Sequence, residues 1–266
     1  MKPIALPPAF NLQAWIAPGD VLLGKYEYAQ PLAEGRISAI LKVHDGRGTE
    51  WAAKAIKPAI RLESSMEQFA ILMGVMRREA EMQAHFRHKN IIRVQESGFD
   101  PILGVCTVME YAPLGNLRQR IRAGALDLHS SLAIIAGVLD ALACLHAPSP
   151  VFRHGVAHLD LEPKNVVFGK RDVPKICDFH YARPINTPPN PDDYIDEKHP
   201  IDTRTDLQQV GMLLYEMLSG EQPQAINLLL LPAPVRRFVA ALTEPDPERR
   251  IQSAPAARKA LDEMPC

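Results

Sequence analysis

The chain has 266 residues, 47% of them hydrophobic and 23% charged, with 30 basic against 31 acidic side chains and a net charge of −1. That composition excludes a disordered chain, and the balanced charge excludes a broad basic field for nucleic acid. Its 24 prolines and 15 glycines, set against usual shares of about 5% and about 7%, speak against a glycine-rich, turn-dense all-β protein.

Residues 1–25 read as an extension without periodicity, and the prolines in MKPIALPPAF are unlike a signal peptide. Three β-type stretches follow between Tyr26 and Lys57: YEYAQPLA, ISAILKVHD and EWAAKAIK. The last two are separated by the turn signal Asp45-Gly46-Arg47-Gly48. A helical pattern then covers about Leu62 to Phe86. IIRVQES and GVCTVMEY read as strands, and the character changes after Pro113-Leu114-Gly115. Leu132, Ile135, Ala136, Leu139 and Leu142 mark one face of a helix over 129–146. Short strands are expected around VVF and KIC, then helices over 204–219, 234–243 and 253–264.

Cys106, Cys144, Cys177 and Cys266 lie far apart, without metal-ligand spacing, and are expected to be reduced and structural. No apolar run approaches the length of a membrane span; the best, Leu132 to Leu139, ends at Asp140. The cytoplasm is the expected compartment.

Two tracts carry candidate chemistry. In HLDLEPKNVVF, Asp160 precedes Asn165, which opens a β-run, and Asp178 closes the next β-run in CDF. Two carboxylates and an amide oxygen on adjacent strand ends suit a hard octahedral ion such as Mg²⁺. Upstream, Lys54 sits among apolar neighbours in WAAKAIK, with Glu79 and Glu81 on the long helix as possible partners.

In this order the features resemble the protein-kinase family, in particular bacterial Ser/Thr kinases of the eukaryotic-like type, from about Tyr26 to Glu263. RREAEMQAHFRHKNIIRV looks like the regulatory helix, and counting back from His88 selects Glu79 as the lysine partner. VMEYAPLGNL resembles the hinge, HLDLEPKN the catalytic loop and CDFH the magnesium-binding turn. DTRTDLQQVGMLLYEMLSGEQP is similar to the central helix of the large lobe, with Asp206 bracing the catalytic loop. DPERRIQSA resembles the late arginine signature and places Arg250 opposite the acid that ends the activation segment.

The resemblance implies an α+β bilobal protein-kinase fold: a small β-rich N-lobe (26–111) with one long helix, and a larger helical C-lobe (112–266). It implies phosphoryl transfer by positioning and charge neutralisation, with ATP and Mg²⁺ as cofactors and a protein substrate or signalling partner. Lys54, held by Glu79, would grip the α- and β-phosphates, and Asn165 and Asp178 would hold Mg²⁺. Asp160 would accept the proton of the attacking hydroxyl. Nucleotide would also meet Gly35, Ile40, Ala52, the gatekeeper Met109, the backbones of Glu110 and Ala112, Asn116 near the ribose, and Val167 opposite Ile40.

The sequence departs from the family pattern at several places. The glycine-rich loop reads Ala33-Glu34-Gly35-Arg36-Ile37-Ser38, keeping only Gly35, which implies a less close backbone approach to phosphate. Leu159 stands where many kinases have arginine, and the segment after Asp178 is short, with Tyr181 and Thr187 its hydroxyl carriers. Both imply that activation-segment phosphorylation is not the switch. Glu162 replaces the lysine of Ser/Thr kinases, and Lys164 sits where tyrosine kinases carry an equivalent charge. His180 replaces a glycine; histidine reaches positive φ more readily than most side chains, so the turn is expected to survive with less freedom to flip. Gln83 falls where leucine completes a hydrophobic stack with Phe179 and His158, implying a shifted or loosened helix. Two functions therefore stand: an atypical protein kinase acting on Ser/Thr, or a pseudokinase acting as a nucleotide-binding or scaffolding module. A small-molecule phosphotransferase fits the central helix and late arginine signature less well.

Overall fold

A computed structural model describes residues 16–186 and 202–264. These divide into two compact units. One takes the described residues through His85 together with Arg93–Tyr111; the other takes Phe86–Ile92 and the chain from Ala112 onward.

The first unit is built on a six-stranded antiparallel sheet of β1 (Val21–Leu22), β2 (Tyr26–Glu34), β3 (Ser38–His44), β4 (Glu50–Ile56), β5 (Val94–Asp100) and β6 (Gly104–Glu110), in the order β1-β2-β3-β4-β6-β5. Alternation sends Ala39, Leu41 and Val43 of β3, with Ala53 and Ala55 of β4, into one apolar cluster. Side chains along a strand take opposite faces in turn, so Lys54, between two buried alanines, is directed to the other face.

Two helices lie between β4 and β5. The helical pattern expected from Leu62 to Phe86 is broken: α1 covers Pro58–Glu63 and α2 covers Met66–Ala84. Ser65 interrupts it as the α2 N-cap, in a reciprocal capping box with Gln68. That satisfies two otherwise orphaned backbone donors and makes a helix start at that point favourable. The buried positions of α2 are Met76, Glu79, Ala80 and Gln83, a single stripe at helical spacing. Gln83 is 2% exposed, and the helix runs unbroken through it.

The second unit is mainly helical: α3 (Leu117–Ala123), α4 (Leu128–His146), α5 (Thr203–Ser219), α6 (Ala233–Thr243) and α7 (Ala254–Asp262). By length and composition α4 could cross a membrane. Here it is a core helix, burying Ile134, Ile135, Val138, Leu139, Leu142 and Leu145 among others. Short strands complete the unit as two antiparallel pairs: β7 (Val156–Ala157) with β10 (Arg183–Pro184), and β8 (Val166–Phe168) with β9 (Pro174–Ile176). Residues 86–92 join this unit because Ile91 bridges Ile176, and the Ile92 N–H donates to the Ile176 carbonyl at 3.0 Å.

Candidate functional site

In the first unit, register places the candidate residues side by side. Ile40 stands opposite Lys54 across β3 and β4, and Ala52 stands opposite Met109 across β4 and β6. Lys54 Nζ lies 2.6 Å from Glu79 Oε1, with the two side chains 11% and 7% exposed. A charge so enclosed needs an opposite charge, and the apolar stripe of α2 supplies one.

Gly35 forms the β2–β3 turn, its N–H donating to the Ser38 carbonyl at 2.8 Å. Its φ is outside the left-handed region, and a Cβ there would lie 3.4 Å from Ser38 O. The turn itself does not require glycine. The Glu110 N–H donates to the Arg93 carbonyl at 2.8 Å, so one of its two backbone groups is already engaged.

In the second unit the catalytic-loop residues converge on α5. Asp206 is fully buried and accepts from the N–H groups of His158 at 2.8 Å and Leu159 at 2.7 Å, and from His146 Nε2 at 2.8 Å. Burial works to raise its pKa; the hydrogen bonds from His146 and the Leu159 backbone outweigh it and hold it below the usual carboxylate value. His158 Nδ1 accepts from the Asp160 N–H at 3.3 Å, so its Nε2 carries the proton shared with the Cys177 carbonyl at 3.2 Å.

Asn165 Nδ2 donates to both the carbonyl and the carboxylate of Asp160, at 2.9 and 2.8 Å. Both amide hydrogens are thereby directed at Asp160, leaving the amide oxygen as the atom able to meet a cation. Burial, then the Glu162 carboxylate, raises the pKa of Asp160, which favours a base that binds and releases a proton. Lys164 Nζ is 2.5 Å from Glu162 Oε1, and that hydrogen bond raises the lysine pKa.

The Cys177 N–H donates to the Asn165 carbonyl at 3.0 Å, which sets Asp178 beside the loop. Asp178 has φ 66. His180 does not take a positive φ; in this turn the left-handed conformation falls on Asp178, an aspartate being among the side chains that tolerate it better. Phe179 is 1% exposed and closes a run of rings: it stacks on Phe86 at 6.1 Å and meets the edge of His158 at 5.0 Å, while Phe86 stacks on Phe152 at 5.9 Å.

Ala112 and Val167 are half-buried, and Val167 bridges Asn116. Asn116 is the N-cap of α3, its side-chain oxygen accepting from the Gln119 N–H at 3.0 Å. Arg250 is buried and donates to the carbonyls of Glu244 and Arg204. Its expected acidic partner, Thr187 and the rest of the segment from 187 to 201 lie outside the described residues.

Among the described residues no three His, Cys, Asp or Glu side chains cluster as a self-contained metal cage. Asp178 and the Asn165 oxygen would instead supply an all-oxygen, partial donor set. It fits a hard cation that keeps water and takes phosphate oxygens, as Mg²⁺ does.

Sequence reasoning passed over Phe86, Phe152, His146 and Gln209. His146 had a signal, standing in the last turn of an apolar helix; Gln209 had none beyond its place three residues after Asp206.

Residues 26–229 match the family described as protein kinase domain. The chain is 30% identical to the serine/threonine-protein kinase PksC of Streptomyces coelicolor, over 88% of this chain and 48% of that one. It is 28% identical to the probable serine/threonine-protein kinase pknA2 of Bifidobacterium longum, over 77% of this chain and 28% of that one. With Aurora kinase C of Mus musculus it shares 30% identity over 76% of this chain and 72% of the other. The chain thus spans less than half the length of these bacterial relatives.

Proposed function

Because the chain belongs to the protein kinase family, we propose that it transfers the γ-phosphate of ATP to the hydroxyl of a serine or threonine in a protein. The observation that carries this reading is the Asp160–Asn165 pair, whose two hydrogen bonds orient both side chains. The names of the two bacterial relatives, a serine/threonine-protein kinase and a probable one, support the acceptor class.

Lys54, kept extended by Glu79, binds the α- and β-phosphates. Asp178 and the Asn165 oxygen would hold Mg²⁺, which supplies positive charge against the phosphates. Asp160 orients the attacking hydroxyl and takes its proton at a carboxylate oxygen. Lys164 offsets charge on the transferring group, the task left open by Glu162. A second reading, a nucleotide-binding scaffold without transfer, is favoured by the Glu162–Lys164 ion pair, which occupies that lysine.

The test is incorporation of labelled γ-phosphate from Mg·ATP into the protein itself and into generic protein substrates, beside Asp160→Asn. Incorporation above the variant is expected; none above it overturns the proposal. A thermal shift with ATP and Mg²⁺ in the absence of transfer would support the scaffold.

A further inference from the structure

Asp160 lies between two peptide groups that are both held from one helix. Gln209 Nε2 donates to the Leu159 carbonyl at 3.0 Å, and Gln209 Oε1 accepts from the Leu161 N–H at 3.0 Å. Asp206, three residues earlier on the same face of α5, takes the Leu159 N–H at 2.7 Å. Both backbone groups of Leu159 are therefore fixed. Leu159 has φ 64, a conformation that a leucine side chain disfavours. It persists only where its surroundings enforce it.

We propose that Gln209 is a positioning residue for Asp160: its side-chain amide spans the backbone on either side of the carboxylate and fixes the catalytic loop. The inference rests on the kinase reading of Asp160. Glutamine suits the task because it offers a donor and an acceptor at one reach. Asparagine is a methylene shorter, and glutamate would set an oxygen against the Leu159 carbonyl. Leu159 has no guanidinium to tie the loop to a distant anion, so the fixation comes from beneath.

The test uses Gln209→Met, which keeps side-chain length without either hydrogen bond, and Gln209→Glu, which keeps the acceptor alone. Gln209→Met should lower kcat by about tenfold or more, since small displacements of a catalytic group are costly, with KM for Mg·ATP within about twofold of wild type. Gln209→Glu should fall between. In an Asp160→Asn background, Gln209→Met should change the residual rate by less than about twofold, because coupled residues are not additive. Hydrogen exchange at the Leu161 amide should accelerate by about tenfold or more in Gln209→Met.

An unchanged kcat overturns the inference, as does an equal fall in both backgrounds, which would mark a general packing effect. Unchanged Leu161 exchange overturns it as well. If the wild type transfers no phosphate, the kinase reading fails instead and takes the catalytic part of the inference with it. The exchange measurement still decides whether Gln209 fixes the loop.

Discussion

Lys164 Nζ lies 2.5 Å from Glu162 Oε1, and the two side chains are 56% and 38% exposed. An ion pair that open to water contributes only about 0–1 kcal/mol, so an incoming phosphate can displace the carboxylate. The pairing keeps Lys164 charged while engaging it. Glu162→Gln should therefore raise kcat/KM for Mg·ATP by about threefold or more, and Lys164→Ala should lower it by about tenfold, the range of a single charge acting on a developing anion. Steady-state kinetics at two ionic strengths measures both. Lys164→Ala with wild-type kinetics would remove the lysine from the mechanism.

Glu79 faces an ammonium that has little access to water. Removing one member of a buried pair costs about 3–5 kcal/mol, whereas removing both can be close to neutral. Glu79→Ala should lower the unfolding free energy measured by urea denaturation by about 3 kcal/mol, and Glu79→Ala with Lys54→Met should recover most of that while losing transfer. A double variant no more stable than Glu79→Ala would show that the pair is not the source of the cost.

Asp206 carries a pH dependence of known sign. Its folded pKa is depressed, so its stabilisation is full above the unfolded carboxylate value of about 3.9 and is lost as pH falls through the lower folded value. Thermal melts from pH 6 downward should show wild type losing stability more steeply below about pH 4 than Asp206→Asn, which has no proton to gain. At neutral pH the variant should be less stable by about 3 kcal/mol, the scale of several hydrogen bonds to a charged acceptor. Parallel melting curves across that range would refute the assignment.

Two glycines should behave oppositely. Gly155 has φ +83, and a Cβ there would lie 2.3 Å from the His146 carbonyl oxygen, so Gly155→Ala should cost about 3 kcal/mol or more. Gly35 meets neither obstacle, and Gly35→Ala should stay within about 0.5 kcal/mol of wild type. Any loss of ATP affinity in Gly35→Ala would then report phosphate approach rather than folding. Thermal denaturation with ATP titration separates the two effects; an unfolded Gly35→Ala would contradict the turn geometry.

The sequence made the charged parts of the site legible and left its supports obscure. Lys54 could be found because it stands between alanines in a strand, whereas its partner was open between Glu79 and Glu81 until the kinase resemblance, counted back from His88, selected Glu79. The break at Ser65 was also readable, as Ser-x-x-Gln ahead of an apolar helix, but the strong periodicity on either side hid it. Asn116 carries the same signature with Gln119 and was read for its ribose role instead. The missing glycine at His180 draws attention to that position, yet the left-handed residue of the turn is Asp178, which no local pattern marks. Phe86, Phe152 and Gln209 act through neighbours distant in sequence, and no local pattern announces such contacts.

The seven residues Phe86–Ile92 leave one unit, lend the other a bridge to Ile176 and a ring against Phe179, and hand the chain back at Arg93. The border is thus crossed at three points along the chain, after His85, Ile92 and Tyr111. A fragment beginning at Ala112 would strip Phe86 from Phe179 and remove the Ile91 bridge to Ile176 at once. The two units are therefore bound to a shared folding history: the piece that completes the larger one is synthesised in the middle of the smaller.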